Sequence, residues 1–310
     1  MVSWPDPVDD IVGGDQAVML ASVTPASGAA LVPVTNFAVR DREAGTMTFN
    51  SALGGWKKLE RIKRNPRVAL AFHTRAHGYS DRPEYVLVQG RATVSEPVTD
   101  YPETLGADWE KFDLPRATGP VWGRWLRDYY TRMLIEVAVE RIVVWPDLLC
   151  RDEPAVIGAP LPDAPAPQAP PAKGTGPRID HARAARRAAR LPDALLGWVG
   201  GDGFPVVAPV RIEGHDADGM RLAVPPGLLP DGGRRAGLTA HSFTRRIIGQ
   251  EQRVHTGWLA AGPPVRYAPH TQVAYRMPPV KTVRRVGLGV AMRVGRRRAG
   301  HAGVPLSPTP

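Results

Sequence analysis

The 310 residues include a single cysteine, Cys150. That excludes an intrachain disulfide, a thiolate zinc site and a cysteine-ligated iron–sulfur cluster. No apolar run approaches the roughly eighteen residues that a membrane-spanning helix requires. The first twelve residues, MVSWPDPVDDIV, are acidic where a secretory signal would be basic and then apolar, so the cytosol is the expected compartment. Aromatic residues are few, at 7%, yet apolar residues reach 43% and charged residues 23%, a globular rather than a disordered composition. Glycine and proline, by contrast, are abundant at 32 and 33, which predicts many turns and at least one linker.

Acid is scarce in one part of the chain only. Residues 1–150 carry 17 basic and 19 acidic side chains, whereas 151–310 carry 23 and 11. Two stretches account for nearly all of the excess: 178–190 (RIDHARAARRAAR) and 281–298 (KTVRRVGLGVAMRVGRRR). The net charge of +10 therefore describes appendages around near-neutral globular parts. A nucleic-acid role through these appendages is the less expected reading, and the stretch 281–310 reads as a basic, disordered tail.

The clearest boundary is 152–178, rich in proline and alanine with no periodic apolar face, an extended spacer between residues 1–151 and 179–280. The first part reads as strands with one helix. Strands are expected over 17–24, 29–39, 45–51, 68–74, 84–94 and 132–146, with a helix in GGWKKLERIKRNPR and helix or loop over 100–130. Hairpins dominate and no βαβ repeat appears, so an antiparallel barrel is expected. The second part repeats the outline without the central helix. LGWVGGDGFPVVAPVRI (196–212) follows LASVTPASGAALVPVTNF (20–37), and GMRLAVPPG (219–227) follows GTMTFNSALGG. RRAGLTAHSF (234–243) follows NPRVALAFHT, QRVHTGWLA (252–260) follows YVLVQGRAT, and VRYAPHTQVAYRMPP (265–279) takes the place of the last strand. Five pairings in one order predict an internal duplication.

Chemistry concentrates in TMTFNSALGGWKKLERIKRNPR (46–67). A strand ends at Ser51, two glycines follow, and a helix opens with Lys57 and Lys58 in its first turn. A helix start presents free N–H groups and partial positive charge, so adjacent lysines are unfavourable there unless an anion lies between. A phosphate resolves the conflict, with Ser51 as a hydroxyl donor and Arg61 one turn on. The plainer reading is a solvated basic surface, since Gly-Gly is not a phosphate loop of the GxxxxGKS type.

The order of these elements resembles the pyridoxamine 5′-phosphate oxidase-like, or flavin-reductase-like, FMN-binding split-barrel superfamily. Lys58, Ile62, Asn65 and Pro66 match its K-x-x-x-L-x-x-N-P pattern, Gly90 and Ala92 its G-x-A, and RMLIEVAVERIVVW its last strand. The resemblance covers about residues 15–147 and extends to 192–279 as a degenerate second copy. It implies a mainly β fold with short helices, a split β-barrel duplicated in tandem. It implies FMN as cofactor, with a deazaflavin coenzyme (factor 420) as the alternative and haem behind both. Lys57 and Lys58 then stand at the flavin phosphate, Ser51 beside it, and Thr35 and Asn36 on the strand lining the ring. A flavin- or deazaflavin-dependent oxidoreductase acting on a small molecule follows, with no catalytic side chain required. A non-catalytic flavin- or haem-binding protein is the alternative. Two departures argue against pyridoxamine phosphate as substrate: an Arg-x-His pair is missing after the last strand, and the glutamine that usually starts the fifth strand is Tyr85. The cofactor sits between two barrels of a homodimer in this family, and a duplicated chain could build that interface internally, as a pseudo-dimer.

Histidines offer a weaker signal. His73 and His77 lie four apart across a strand end and a loop, where that spacing does not align side chains, so no metal site is expected. His241, His255 and His270 fall on three expected strands and read as structural residues that could converge inside the second barrel.

Overall fold

The computed structural model describes residues 2–301 except 38, 100, 106, 114, 115, 118 and 245–248. The first sheet contains β1 (Ala17–Val23), β2 (Ala29–Thr35), β3 (Val39–Asp41), β4 (Thr46–Ala52), β5 (Arg67–Phe72), β6 (Tyr85–Val98), β7 (Arg132–Trp145) and β8 (Ala155–Gly158). The second contains β9 (Asp193–Val199), β10 (Pro205–Pro209), β11 (Arg211–Asp216), β12 (Gly219–Ala223), β13 (Gly233–Ser242), β14 (Glu251–Ala260) and β15 (Arg266–Arg276). The first runs β2-β1-β5-β6-β7-β4-β3, with β8 added to β7, and the second runs β10-β9-β13-β14-β15-β12-β11. Renumbered from its own first strand, the second order is the first order. The chain is a tandem duplication of one antiparallel split barrel.

The ladders fix which residues correspond. Leu70 pairs with Leu20, and Leu238 pairs with Leu196. Both copies break register at a glycine on their longest hairpin, Gly90 in β6 and Gly257 in β14. A Cβ at either glycine would lie 2.2 Å from a carbonyl across the ladder, that of Ala138 or its counterpart Ala268. No side chain fits so close an approach, so both bulges require glycine. Aligned end to end, NPRVALAFHT and RRAGLTAHSF would set His73 against Ser242. The ladders shift that by one residue and make His73 the counterpart of His241.

Each barrel fills its own interior. Val18, Leu20, Phe49, Phe72, Val88 and Ile135 are among the first core, and Leu196, Trp198, Met220, Leu238 and Tyr267 among the second. The alternation in these strands turns one face inward. The two sheets meet through β2, which touches β9, β13 and β14, and reciprocally through β10, which touches β1, β5 and β6. Such reciprocity is the mark of a two-fold relation. On that pseudo-axis His73 and His241 meet each other, Nε2 to Nε2 at 2.7 Å. His241 is therefore engaged across the interface rather than converging with His255 and His270.

Helices fill the remaining spaces. α1 (Asp6–Gly14) buries Val8, Ile11 and Val12 against the first core. α2 (Trp56–Arg64) buries Leu59 and Ile62. α3 (Tyr101–Leu105), α4 (Ala107–Phe112) and α5 (Pro120–Tyr130) precede β7. α6 (His181–Ala188) packs an alanine face, Ala184, Ala185 and Ala188, and turns Arg183 and Arg186 outward. Its cap is Asp180, which accepts from the Arg183 N–H at 2.9 Å.

The spacer and the tail both gain partners that are distant in sequence. The spacer is extended but not free, since Gln168 donates to Ser27 of the first barrel and accepts from the Arg235 N–H of the second. The basic tail is not disordered over 281–301 but forms α7 (Lys281–His301), while 302–310 lie outside the described residues. The physical reason is tertiary. Arg284 is buried against Asp113 at 3.0 Å, Arg296 pairs with Asp128 at 2.8 Å, and Arg293 stacks 3.6 Å from the Trp125 ring centroid. Partners far away in sequence neutralise a run that looks solvated when read alone. No helix among the described residues is long and apolar enough to cross a membrane.

Candidate functional site

A cleft opens where β2 and the end of β4 face the second barrel. The first barrel lines it with Val32–Thr35, Phe37, Asn50, Ser51, Ala52, Gly55, Lys58, Tyr129 and Arg132. Gln250, Gln252, Tyr275 and Met277 come from the second barrel, and Leu288 from α7. The cleft therefore exists only because the two copies face each other.

One end is cationic. Lys58 and Arg132 both line it, and neither forms a salt bridge among the described residues. Burial, and then the nearby Arg132 charge, pushes the Lys58 ammonium down to about 8. Arg132 is 6% exposed, its guanidinium lies 4.3 Å from the Tyr129 ring centroid, and its Nε has no hydrogen-bond partner. Two enclosed cations without an anion are costly in a folded chain. They fit a site that receives a doubly charged anion such as a phosphate.

The turn before α2 completes the cradle. Residues 53–55 form one 3₁₀ turn, and Gly55 caps α2 with no side-chain acceptor, which leaves N–H groups of the first turn without a capping partner. A Cβ at Gly55 would lie 2.6 Å from Ser51 Oγ and 3.0 Å from Lys58 Cε. Any side chain there would fill the space beside both groups. Ser51 Oγ donates to the Ala52 carbonyl at 3.1 Å, a bond that its single hydrogen would exchange for one to a bound anion.

The residues anticipated from sequence divide into two sets. Thr35, Ser51 and Lys58 line the cleft. Asn36, Lys57 and Arg61 do not, and each departure has a cause. Asn36 Nδ2 donates to the Val12 and Asp15 carbonyls at 2.7 and 2.9 Å, which fixes its side chain against the end of α1. Lys57 and Arg61 share a helix face at four-residue spacing, about 100° around from the face that carries Lys58. Lys57 is exposed, with Nζ 5.7 Å from the Trp56 ring centroid.

Arg132, Asn50, Gln252 and Tyr275 are cleft residues that the sequence reading missed. A signal for Gln252 was present. It is the β14 counterpart of Tyr85, five residues before the bulge glycine in each copy. The glutamine absent from the first copy thus stands in the second and reaches the cleft from the opposite barrel. Its Oε1 has no hydrogen-bond partner.

The pseudo-two-fold predicts a second cleft, and the sequence has closed it. The counterparts of Asn50 and Ser51 are Ala223 and Val224, and no helix follows them. The counterparts of Gln252 and Tyr275 are Tyr85 and Trp145, whose ring centroids lie 5.2 Å apart. These rings belong to an apolar cluster with Cys150, Leu195 and Val207. Tyr85 closes it by donating its hydroxyl to the Val207 carbonyl at 2.6 Å.

Among the described residues, the cleft walls contain no carboxylate, histidine or cysteine. Tyr129 is committed elsewhere, since its hydroxyl donates to Asp113 at 2.6 Å. Burial pushes the Tyr275 hydroxyl up to about 12. The site can bind, orient and neutralise, and among the described lining residues the group that titrates closest to neutrality is Lys58, pushed down to about 8.

Known proteins resemble the first half of the chain. Residues 5–119 match the family model described as pyridoxamine 5′-phosphate oxidase. No curated protein matches the chain. Among solved structures, an F420 reductase is 20% identical, with 45% of this chain and 98% of that chain covered at a TM-score of 0.32. A pyridoxamine 5′-phosphate oxidase-type protein from Listeria innocua is 18% identical, with coverages of 45% and 95% and a TM-score of 0.31. A conserved hypothetical protein from Mycobacterium tuberculosis is 19% identical, with coverages of 47% and 86% and a TM-score of 0.34. With its strand order, its glycine bulge and this family match, the first barrel of the chain belongs to the pyridoxamine 5′-phosphate oxidase-like split-barrel superfamily.

Proposed function

We propose that the chain binds one flavin-type cofactor, FMN or a deazaflavin, in the cleft between its barrels and is an oxidoreductase acting on a small molecule other than pyridoxamine phosphate. The observation that carries this reading is the unneutralised pair Lys58 and Arg132 at one end of a cleft built by both copies. The family match of residues 5–119 supports a flavin-binding fold.

When bound, the cofactor supplies hydride or electron transfer, chemistry that no side chain in the cleft provides. The protein's part is placement. Lys58, Arg132, Ser51 and the start of α2 would neutralise a phosphate. Val32, Pro33 and Val34 offer an apolar strand edge to a flat ring. Gln252 brings an amide with both donor and acceptor to the opposite wall, which suits the alternating N–H and C=O groups of a flavin's pyrimidine edge. Met277, Tyr275 and Phe37 would shield a bound ring from water.

The test is a titration of the purified chain with FMN and with deazaflavin coenzyme, followed by absorption. Saturable binding with one of them is expected. Lys58→Ala should weaken it about tenfold to hundredfold, the loss of a charge-assisted hydrogen bond worth about 1.5–3 kcal/mol. Unchanged affinity in that variant would remove the phosphate assignment, and a Soret band in the protein as purified would replace flavin with haem.

A further inference from the structure

The cationic end of the cleft is walled by α7. Leu288 of this helix lines the cleft beside Lys58 and Arg132. One turn on, Met292 packs on the turn before α2, where a Cβ at Gly54 would lie 2.9 Å from its Cε. Nearly another turn on, a Cβ at Gly295 would lie 2.4 Å from the Gly54 Cα, so helix and turn touch backbone to backbone. Glycine on both sides is what allows this approach. The helix is held there firmly. Trp125 Nε1 donates to the Arg285 carbonyl at 3.1 Å, Arg284 is bound to Asp113, and Asp113 also accepts from Tyr129 on the cleft wall.

We infer that α7 ends the ligand site at the phosphate, so that the cleft takes a flavin monophosphate and rejects flavins that continue beyond that phosphate. The inference rests on the reading of the cleft as a flavin site. Its physical basis is steric. A phosphate held between Lys58, Ser51 and the first turn of α2 would lie beside the turn at 53–55, which Met292 and Gly295 cover, so groups continuing past it on that side would meet α7. The two cations match this choice, since a terminal monophosphate carries up to two charges and a phosphodiester only one.

FMN and FAD share the ring, the ribityl chain and the first phosphate, so comparing them isolates what lies beyond. The full-length chain is titrated with FMN, FAD and deazaflavin coenzyme, and binding is followed by quenching of cofactor fluorescence. The expected result is saturable FMN binding, with FAD and the deazaflavin at least about a hundredfold weaker. Gly295→Leu drives a side chain into Gly54 and lifts the helix from the turn, and it should narrow the FMN-to-FAD gap at least tenfold. Met292→Ala, a milder opening at the same contact, should narrow it in the same direction and serves if the first variant does not fold. FMN and FAD binding equally well to the unmodified chain would overturn the inference while leaving the flavin site standing. A gap that neither variant changes would overturn the role given to α7. Failure of all three cofactors to bind would instead remove the reading of the cleft itself.

Discussion

Lys58 shows what burial without a counter-ion does to a side chain. Its ammonium is pushed down to about 8, first by burial and then by Arg132. Between about 8 and the ordinary lysine value of about 10.4, the unfolded chain holds more protons on this group than the folded one, so this lysine makes the ligand-free fold gain stability as pH rises through that window. Ligand binding runs the other way. A phosphate needs the charged lysine, so FMN affinity should fall about tenfold per pH unit above 8. Below about 6 the phosphate loses its second charge, and affinity should decline there too. Titrations from pH 5 to 10 would show a maximum near 7, and Lys58→Ala should flatten the alkaline arm. A second acid–base effect lies near the pseudo-axis. Asp193 is pushed up to about 6, by burial and then by the Asp15 charge. The folded chain holds more protons there than the unfolded chain between about 3.9 and 6, so the penalty is fully present above 6 and vanishes at acid pH. Asp193→Asn should therefore raise the melting temperature at pH 8 and leave it unchanged near pH 4. Equal shifts in calorimetry at both pH values would refute this account.

At the scale of elements, legibility followed locality. β1, β2, β5 and β6 declare themselves by apolar runs and turn residues, and the first turn of α2 declares its lysines by their misfit with the helix dipole. Lys58 was readable for that reason. Arg132 was not, because its meaning comes from Lys58, more than seventy residues away and reached only through the pairing of β4 with β7. Gln252 was readable only through the duplication, as the residue that replaces Tyr85. α7 was misread because seven cations without an acid resemble a solvated tail until Asp113, Asp128 and Trp125 are brought against them.

At the scale of the molecule, the duplication sets the stoichiometry expected of the proposed cofactor. One cleft is open and polar, and its counterpart is filled by Tyr85 and Trp145. A chain with both barrels needs no second chain to complete its site, so one cofactor should bind per chain, and binding should persist in whatever fraction sediments as monomer. Two equivalents per chain, or binding confined to dimers, would contradict this. The closed cleft gives a further check. Tyr85→Ala removes a fully buried ring and its bond to Val207, so it should cost about 3–5 kcal/mol in denaturant unfolding. FMN affinity should change little, because Tyr85 is absent from the open cleft.

The histidine pair carries a consequence of its own. In an assembly of two identical chains, a residue on the symmetry axis meets its own twin. The proton between the two rings then has no reason to belong to either side. Here the twins bear different numbers and different surroundings. His73 Nδ1 lies 3.2 Å from the Ala71 carbonyl and can donate to it, which leaves His73 Nε2 as the acceptor. His241 must then donate from Nε2, and its Nδ1, which has no partner, carries the bare lone pair. Fusion of the two copies has turned a degenerate proton into an assigned one, and left a single unpartnered ring nitrogen whose protonation burial opposes.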